Sequence, residues 1–191
     1  MNKNILIRRI LVSLTIFISL LVSCKGSTIK KSTLNSFKAV HLPDNSIALL
    51  NNNSSIEFDQ DFNERTIKQT GEVFYIVRKG NTPFIIETEK GKIKVIGTEF
   101  NVKSLEEELE VEVEKGIVKL KTNTLEKEVK KGQKALVNNT EKGIKIGKAE
   151  FKYKKWKKNL DKDLKKIYKK IKKTSKKVGK EVKKELKNLK K

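Results

Sequence analysis

Residues 108–121 read ELEVEVEKGIVKLK, and this stretch decides the fold class. Before Lys115-Gly116 a leucine and two valines alternate with glutamates, and after it Val118 and Leu120 alternate with lysines. A period of two places the aliphatic side chains on one face of a sheet and the charges on the other. We therefore predict a β-hairpin whose outer face is solvated and pairs glutamates with lysines. The alternative, a metal site built from these glutamates, has no histidine or backbone cage beside it.

Short apolar runs broken by Gly, Pro, Asn and Asp continue through residues 37–148, which predicts a single β domain. The predicted strands are residues 37–42, 46–50, 55–58, 65–69, 72–77, 83–88, 92–96, 99–104, 108–113, 116–121, 127–130, 134–138 and 143–147. Regularly spaced short strands predict a mainly β fold, an antiparallel sandwich of jelly-roll-like form. Phe74, Phe84 and Phe100 are the expected core aromatics.

The first 36 residues have the composition of a targeting signal followed by a linker. A cationic start precedes an apolar run at residues 10–22, which is shorter than the roughly 20 residues that a spanning helix needs. The run ends in Leu21-Val22-Ser23-Cys24, which resembles the lipobox of bacterial lipoproteins. We predict a signal peptide at 1–23, lipid attachment at Cys24 and a flexible tether at 24–36. An uncleaved anchor helix is the alternative.

The charge of the chain is concentrated at its end. The net charge is +22, and residues 151–191 hold 20 lysines against four acidic residues, which leaves +6 for residues 1–150. Apolar residues from Trp156 to Leu189 recur at spacings of three, four and seven, so we predict a long amphipathic basic α-helix in the tail at 149–191. A nearly neutral domain with a polycationic tail argues against a nucleic-acid-binding fold throughout.

Three partners would neutralise this tail: an anionic membrane surface, another helix in a self-associated or grooved complex, or a polyanion such as nucleic acid or lipopolysaccharide. Tyr153, Trp156 and Tyr168 are expected near the headgroups in the first case. The predicted membrane or polyanion contacts are Lys154, Lys155, Trp156, Lys157, Lys158, Lys165, Lys166, Lys169, Lys170, Lys172, Lys173, Lys176 and Lys177.

Composition argues against an enzyme. The chain has one Cys and one His, His41, so a disulfide within the chain, a cysteine zinc site and a histidine-pair acid–base scheme are all excluded. The sequence also lacks a nucleophile elbow and a Gly-rich phosphate loop. We therefore predict no catalytic residues, no cofactor and no metal.

Residues 41–51 and residues 95–102, HLPDNSIALLN and VIGTEFNV, are two of several blocks between residues 40 and 140 that resemble, in order, the FecR domain. Residues 41–51, HLPDNSIALLN, resemble its opening L-P-D-G-S-x-V-x-L-N, with Asn45 at the glycine position. Residues 95–102, VIGTEFNV, resemble V-L-G-T-x-F-N-V, the most specific block. Further blocks are similar at residues 54–58, 70–77, 83–88, 114–118 and 131–135. Pro43-Asp44-Asn45 predicts a tight turn with a positive φ at Asn45, and Thr98 and Asn101 are expected to form hydrogen bonds in a turn or bulge.

The resemblance implies a β domain on the periplasmic side of a Gram-negative envelope. FecR proteins pass signals from an outer-membrane transporter to a sigma factor through a cytoplasmic anti-sigma segment, which we do not find before the lipobox. We therefore expect a lipid-anchored protein that binds, signals or scaffolds through an envelope partner, with a basic tail on a membrane or an acidic partner. The alternative is a polyanion-binding protein whose lysine tail carries the function.

Overall fold

The computed structural model describes residues 27–138, 143–160 and 162. Its strands are β1 Thr28–Ser32, β2 Lys38–His41, β3 Ile47–Leu50, β4 Ser55–Asp59, β5 Thr66–Ile76, β6 Phe84–Thr88, β7 Gly91–Val95, β8 Glu99–Ser104, β9 Glu108–Lys115, β10 Ile117–Lys121, β11 Glu126–Lys130, β12 Gln133–Asn138 and β13 Lys145–Lys148. A short helix, α1, covers residues 154–160. The prediction of a mainly β domain is confirmed, and the predicted long tail helix falls mostly outside the described residues.

The strands form two sheets that share β5. Sheet A has the order β1-β4-β5-β6-β7-β10-β11, and sheet B has the order β2-β3-β5-β8-β9-β12-β13. The pairing between β5 and β6 is parallel, whereas the other described pairs are antiparallel, so the all-antiparallel prediction is wrong at this point. A connection of seven residues, 77–83, returns the chain from the end of β5 to the start of β6, which lies beside the start of β5.

Gly71 is where β5 passes from one sheet to the other. The first half of β5 pairs with β4 and β6, and the half from Gly71 onward pairs with β3 and β8. Gly71 has a φ of 79°, which costs glycine little and an L-amino acid more. The predicted break between residues 65–69 and 72–77 is therefore wrong, because the glycine turns the strand between sheets without ending it.

The main core lies between the two sheets. It combines Ile56, Ile67, Phe84, Ile86 and Ile93 from sheet A with side chains of sheet B, which include Leu50, Val73, Tyr75, Phe100 and Val111. Tyr75 is fully buried, stacks on Phe100 at 5.5 Å and donates its hydroxyl to Gln69 at 2.9 Å. Desolvation by burial raises the pKa of Tyr75 well above its ordinary value.

The predicted hairpin at residues 108–121 is wrong in its pairing. β9 lies between β8 and β12, whereas β10 lies between β7 and β11 in the other sheet. The turn at Gly116, which has a φ of 90°, therefore carries the chain across the sandwich and does not fold it back on itself. The glutamates of β9 meet lysines of β8 and β12: Lys103 contacts Glu108 at 2.6 Å, and Lys134 contacts Glu110 at 3.4 Å.

The tether prediction for residues 24–36 is wrong for β1, which pairs with β4 over five residues. Thr33 anchors its end, because its hydroxyl donates to the carbonyl of Asn51 at 2.6 Å and the Ser54 amide donates back to it at 3.0 Å. Polar residues can form such an edge strand because only Ile29 packs against the core.

The predicted turn at Pro43-Asp44-Asn45 is confirmed, with a φ of 64° at Asn45 and an Asn45 amide bonded to the Leu42 carbonyl at 3.0 Å. Asp44 also has a role that the motif did not predict. It forms an ion pair with Arg65 at 2.8 Å, with both side chains largely buried. Arg65 in turn donates to the carbonyls of Thr82 and Arg78, so one cation ties the turn to the connection between β5 and β6.

Candidate interaction surfaces

The outer face of sheet B carries an apolar patch that the chain's own C-terminal segment, defined as residues 149–160, covers. Leu49 and Phe74 project from this face, and partly buried Phe37, Ala39, Ile47 and Ile76 surround them. Strands β3 and β5 are therefore apolar on both faces, as strands covered on both sides are. Phe74, predicted as core, is fully buried, but it belongs to this second cluster.

Aromatic contacts hold the C-terminal segment on the patch. Tyr153 is 2% exposed and lies 5.1 Å from the Phe74 ring, and Trp156 stacks on Phe37 at 6.0 Å. Lys157 places its ammonium 3.6 Å from the centre of the Phe74 ring. Tyr153 lies directly before α1, and its spacing to Trp156 and Leu160 places the three side chains on the side of the segment that faces the sheet.

Two glutamates of β9 receive the segment's polar groups. Glu112 is 2% exposed, and its Oε1 accepts the backbone amides of Glu150 at 2.7 Å and Phe151 at 2.9 Å. Glu114 accepts the Tyr153 hydroxyl at 2.8 Å and an ion pair from Lys157 at 3.3 Å. The prediction of a solvated outer face is wrong for Glu112, which the C-terminal segment buries, whereas the Glu114 side chain stays 29% exposed beside the segment.

The contacts of the C-terminal segment shift the pKa values of the groups that take part in them. Burial by itself raises the pKa of Glu114, but the Tyr153 hydrogen bond and the ammonium of Lys157 outweigh it and leave the pKa below its ordinary value. Hydrogen bonds from Lys134 and Lys152 lower the pKa of Glu150 to about 2. Burial and the hydrogen bond to Glu114 raise the pKa of Tyr153, so the hydroxyl stays protonated as a donor.

Replacing Glu112 with alanine is expected to release the C-terminal segment. Two amides would lose their acceptor, and a buried unsatisfied polar group costs about 1–3 kcal/mol. Trp156 is the only tryptophan, so its emission should shift to longer wavelength as the ring leaves Phe37. Glu108→Ala is the matched control, since Glu108 lies on the same strand and its ion pair with Lys103 does not involve the C-terminal segment. An unchanged emission in Glu112→Ala would contradict the role given to Glu112.

Acidification is expected to weaken the contact between the C-terminal segment and sheet B. The folded pKa of Glu114 is lowered from 4.5, so its contribution is present above that value and is lost as pH falls through the folded pKa. Glu150, lowered from 4.5 to about 2, has the same sign. Trp156 emission should therefore stay constant from pH 7 to about pH 5 and change below about pH 4.5. Glu114→Gln should flatten this change, and a transition near neutral pH would contradict the assignment.

The outer face of sheet A carries exposed lysines, unlike the apolar outer face of sheet B. Lys92 and Lys94 on β7 lie directly opposite Lys121 and Lys119 on β10, so two like-charged pairs face each other across one ladder. Beyond them a groove of about 450 Å³ runs along Ile96, Gly97 and Ile117. Like charges directly opposite destabilise a sheet, and no described residue of the chain covers these four lysines.

The predicted contact residues are distributed unevenly. Lys154, Lys155 and Lys158 are exposed on α1, whereas Trp156 and Lys157 are half-buried against sheet B. Tyr153, expected near headgroups, is buried on Phe74. Cys24 and the remaining predicted contacts lie outside the described residues, namely Lys165, Lys166, Lys169, Lys170, Lys172, Lys173, Lys176 and Lys177.

Thr98 and Asn101 have separate structural roles. Thr98 lies in the connection between β7 and β8, and its hydroxyl donates to the carbonyl of Ile117 at 3.3 Å. Asn101 lies within β8, 1% exposed, and donates to Glu72 at 2.9 Å. Thr98 therefore acts in a turn as expected, whereas Asn101 is a strand residue on the outer face of sheet B.

Within residues 27–138, 143–160 and 162, no cluster of His, Cys, Asp and Glu side chains could hold a metal ion. Across the same residues, no helix is long and apolar enough to cross a membrane. Of the two outer faces, that of sheet B is covered by the C-terminal segment, and the β7–β10 lysines of sheet A are exposed.

Residues 30–119 match the model of the family described as FecR protein. Two crystal structures, each described as "a putative anti-sigma factor from Parabacteroides distasonis", are 26% and 27% identical to this chain, with TM-scores of 0.61 and 0.60. The matches cover 64% and 63% of this chain, which spans only 60% and 59% of the length of those two chains. No curated protein matches the chain.

Proposed function

We propose that the chain, whose residues 30–119 match the FecR family, is a non-enzymatic signalling module that binds a protein of the cell envelope. The observation that carries the proposal is the match to the FecR family, together with structural relatives described as anti-sigma factors. The outer face of sheet A, with its exposed lysines and a groove of about 450 Å³, is the surface that we propose for protein binding.

We propose that lipid on Cys24 holds the module at a membrane. The support is the sequence of residues 10–24, an apolar run that ends at the only cysteine of the chain. Because β1 begins at Thr28, the linker between the lipid and the fold is short, and the domain would lie close to the bilayer. Fractionation of Cys24→Ala tests the anchor: we expect release from membranes, and unchanged membrane retention with an uncut signal would contradict lipidation.

The basic tail is proposed as an accessory contact to an anionic membrane or an acidic partner. The C-terminal segment packs on sheet B through Trp156 and Leu160, so the lysines of α1 lie at the edge of this contact. The exposed Lys155 and Lys158 on α1 favour an anionic neighbour there, whereas Lys154 pairs with Glu114 at 3.4 Å. The same charges support the second candidate function, binding of a polyanion such as lipopolysaccharide or nucleic acid.

Cross-linked pull-down from envelopes separates the two functions. The intact chain is compared with a variant lacking residues 163–191, a boundary that leaves the C-terminal segment in place over Phe74. A signalling module should recover the same envelope protein with both chains. Recovery of only lipid or nucleic acid with the intact chain, and of nothing with the truncated one, would replace the signalling module with the polyanion-binding function.

A further inference from the structure

The outer face of the β7–β10 ladder has an apolar end and a cationic end. Ile96 and Ile117 are 45% and 49% exposed at one end, beside the groove of about 450 Å³. Lys94 faces Lys119 next along the ladder, and Lys92 faces Lys121 beyond them. Outward side chains on a strand are separated by two residues, or about 6.6–6.8 Å, so the isoleucines and lysines form a linear series at regular spacing.

The lysines of this face are incompletely neutralised. Lys92 pairs with Glu87 at 2.7 Å, and Lys119 lies 3.9 Å from Glu128. Among the residues that the structure describes, Lys94 and Lys121 have no carboxylate within 4.0 Å. An extra negative charge laid along the ladder would therefore relieve repulsion that the sheet itself leaves in place.

The shape and charge of this face favour an extended peptide. The apolar groove suits one branched aliphatic side chain, and the lysine pairs suit carboxylates further along the same strand. A nucleic acid or an anionic bilayer would also meet the carboxylates of Glu87, Glu126 and Glu128, which flank the lysines on both sides. Those acidic borders limit the cationic surface to a narrow strip.

We propose that the β7–β10 face binds an extended acidic segment of the partner protein. An aliphatic side chain of this segment contacts Ile96 and Ile117, and carboxylates two and four residues further along the segment contact the two lysine pairs. This inference rests on the proposed signalling function and names the chemistry of its partner. The alternation of the ligand follows from the strand period, because every second side chain faces the sheet.

The test uses the full chain and a short labelled peptide. This peptide carries one isoleucine and, two and four residues after it, two glutamates. Fluorescence anisotropy compares the native chain with Lys94→Glu/Lys121→Glu, where repulsion replaces attraction. We expect affinity to fall about tenfold or more at low salt. The control Lys31→Glu/Lys148→Glu makes the same charge change on exposed lysines of β1 and β13 and should bind as the native chain does.

Two variant peptides show which side chains of the ligand account for its binding. A peptide with glutamine in place of glutamate should bind far more weakly, and one with serine in place of isoleucine should lose part of its affinity. Equal binding by the native chain and Lys94→Glu/Lys121→Glu would overturn the inference. So would binding of anionic phospholipid vesicles or single-stranded DNA that depends on Lys94 and Lys121 while the acidic peptide does not bind.

Failure of this inference is distinguishable from failure of the proposed function. If Lys94→Glu/Lys121→Glu still recovers the envelope protein in pull-down, the module binds its partner elsewhere and only the inference falls. If the native chain recovers no envelope protein, the proposed function falls. Far-ultraviolet circular dichroism of the variant, matched to the native chain, shows that the fold is intact in either case.

Discussion

Gly71→Ala is expected to destabilise the fold by about 3 kcal/mol, since it combines a positive-φ cost of about 1–2 kcal/mol with a steric clash of about 1–3 kcal/mol. Gly71 has a φ of 79°, and a Cβ there would lie 2.6 Å from the Asn53 carbonyl oxygen and 2.7 Å from the Ser54 Cα. Backbone atoms cannot rotate away as a side chain can. The measurement is urea unfolding of the purified chain followed by circular dichroism.

Gly132→Ala is the matched control for this experiment. Gly132 has a φ of 80°, and a Cβ at this position has nothing within 4 Å. The control therefore measures the backbone cost alone, about 1 kcal/mol. Equal losses for Gly71→Ala and Gly132→Ala would contradict the close approach of β5 to Asn53 and Ser54 that the passage between sheets requires.

Asp44→Ala is expected to cost about 3 kcal/mol or more, because breaking a buried ion pair leaves the partner charge uncompensated. The Arg65 side chain is 9% exposed and pairs with Asp44 at 2.8 Å. Asp44 also accepts the backbone amide and the hydroxyl of Ser46, each at 2.8 Å, so the turn would loosen as well. The same unfolding measurement reports the loss.

Asp61→Ala is the control for the loss of an aspartate, since Asp61 is exposed and contacts Asn63. We expect a change within about 0.5 kcal/mol for this surface substitution. A loss below about 1 kcal/mol in Asp44→Ala would be typical of a surface pair and would contradict the buried role of the pair with Arg65.

Local patterns predicted the strands well because the signal for a strand is local. Alternation and turn residues located nearly every strand, and the bounds of β8 agree with the prediction of residues 99–104. Asn45 was predicted at positive φ from turn chemistry and has it. β1 was missed because its sequence, TIKKS, has one side chain packed on the core and so no apolar alternation to detect.

Pairing was harder to predict because it depends on contacts distant in sequence. A turn at Lys115-Gly116 fits a hairpin and a crossing between sheets equally well, and only the packing of both sheets decides between them. The covered face of sheet B did leave a signal. The run VFYIV at residues 73–77 is apolar at every position, which is typical of a strand covered on both faces. That signal points to a covering element, and Tyr153 and Trp156 supply it.

The docked C-terminal segment changes which residues of the basic tail are available to a partner. Trp156 and Leu160, the first two apolar residues of the predicted stripe, pack against sheet B together with Tyr153 and are therefore not available to a membrane. The lysines of α1 that remain exposed lie beside this contact. We therefore propose the outer face of sheet A, which the C-terminal segment leaves uncovered, as the partner-binding face.

Site-specific photo-cross-linking in intact cells tests this central claim most directly. A photoreactive amino acid replaces Ile117, which is exposed on the sheet A face, or Leu34, which is 79% exposed beyond the end of β1. We predict that position 117 forms a covalent adduct with an envelope protein and that position 34 does not. An adduct with lipid alone at position 117, or a protein adduct confined to position 34, would contradict the assignment of sheet A as the partner-binding face.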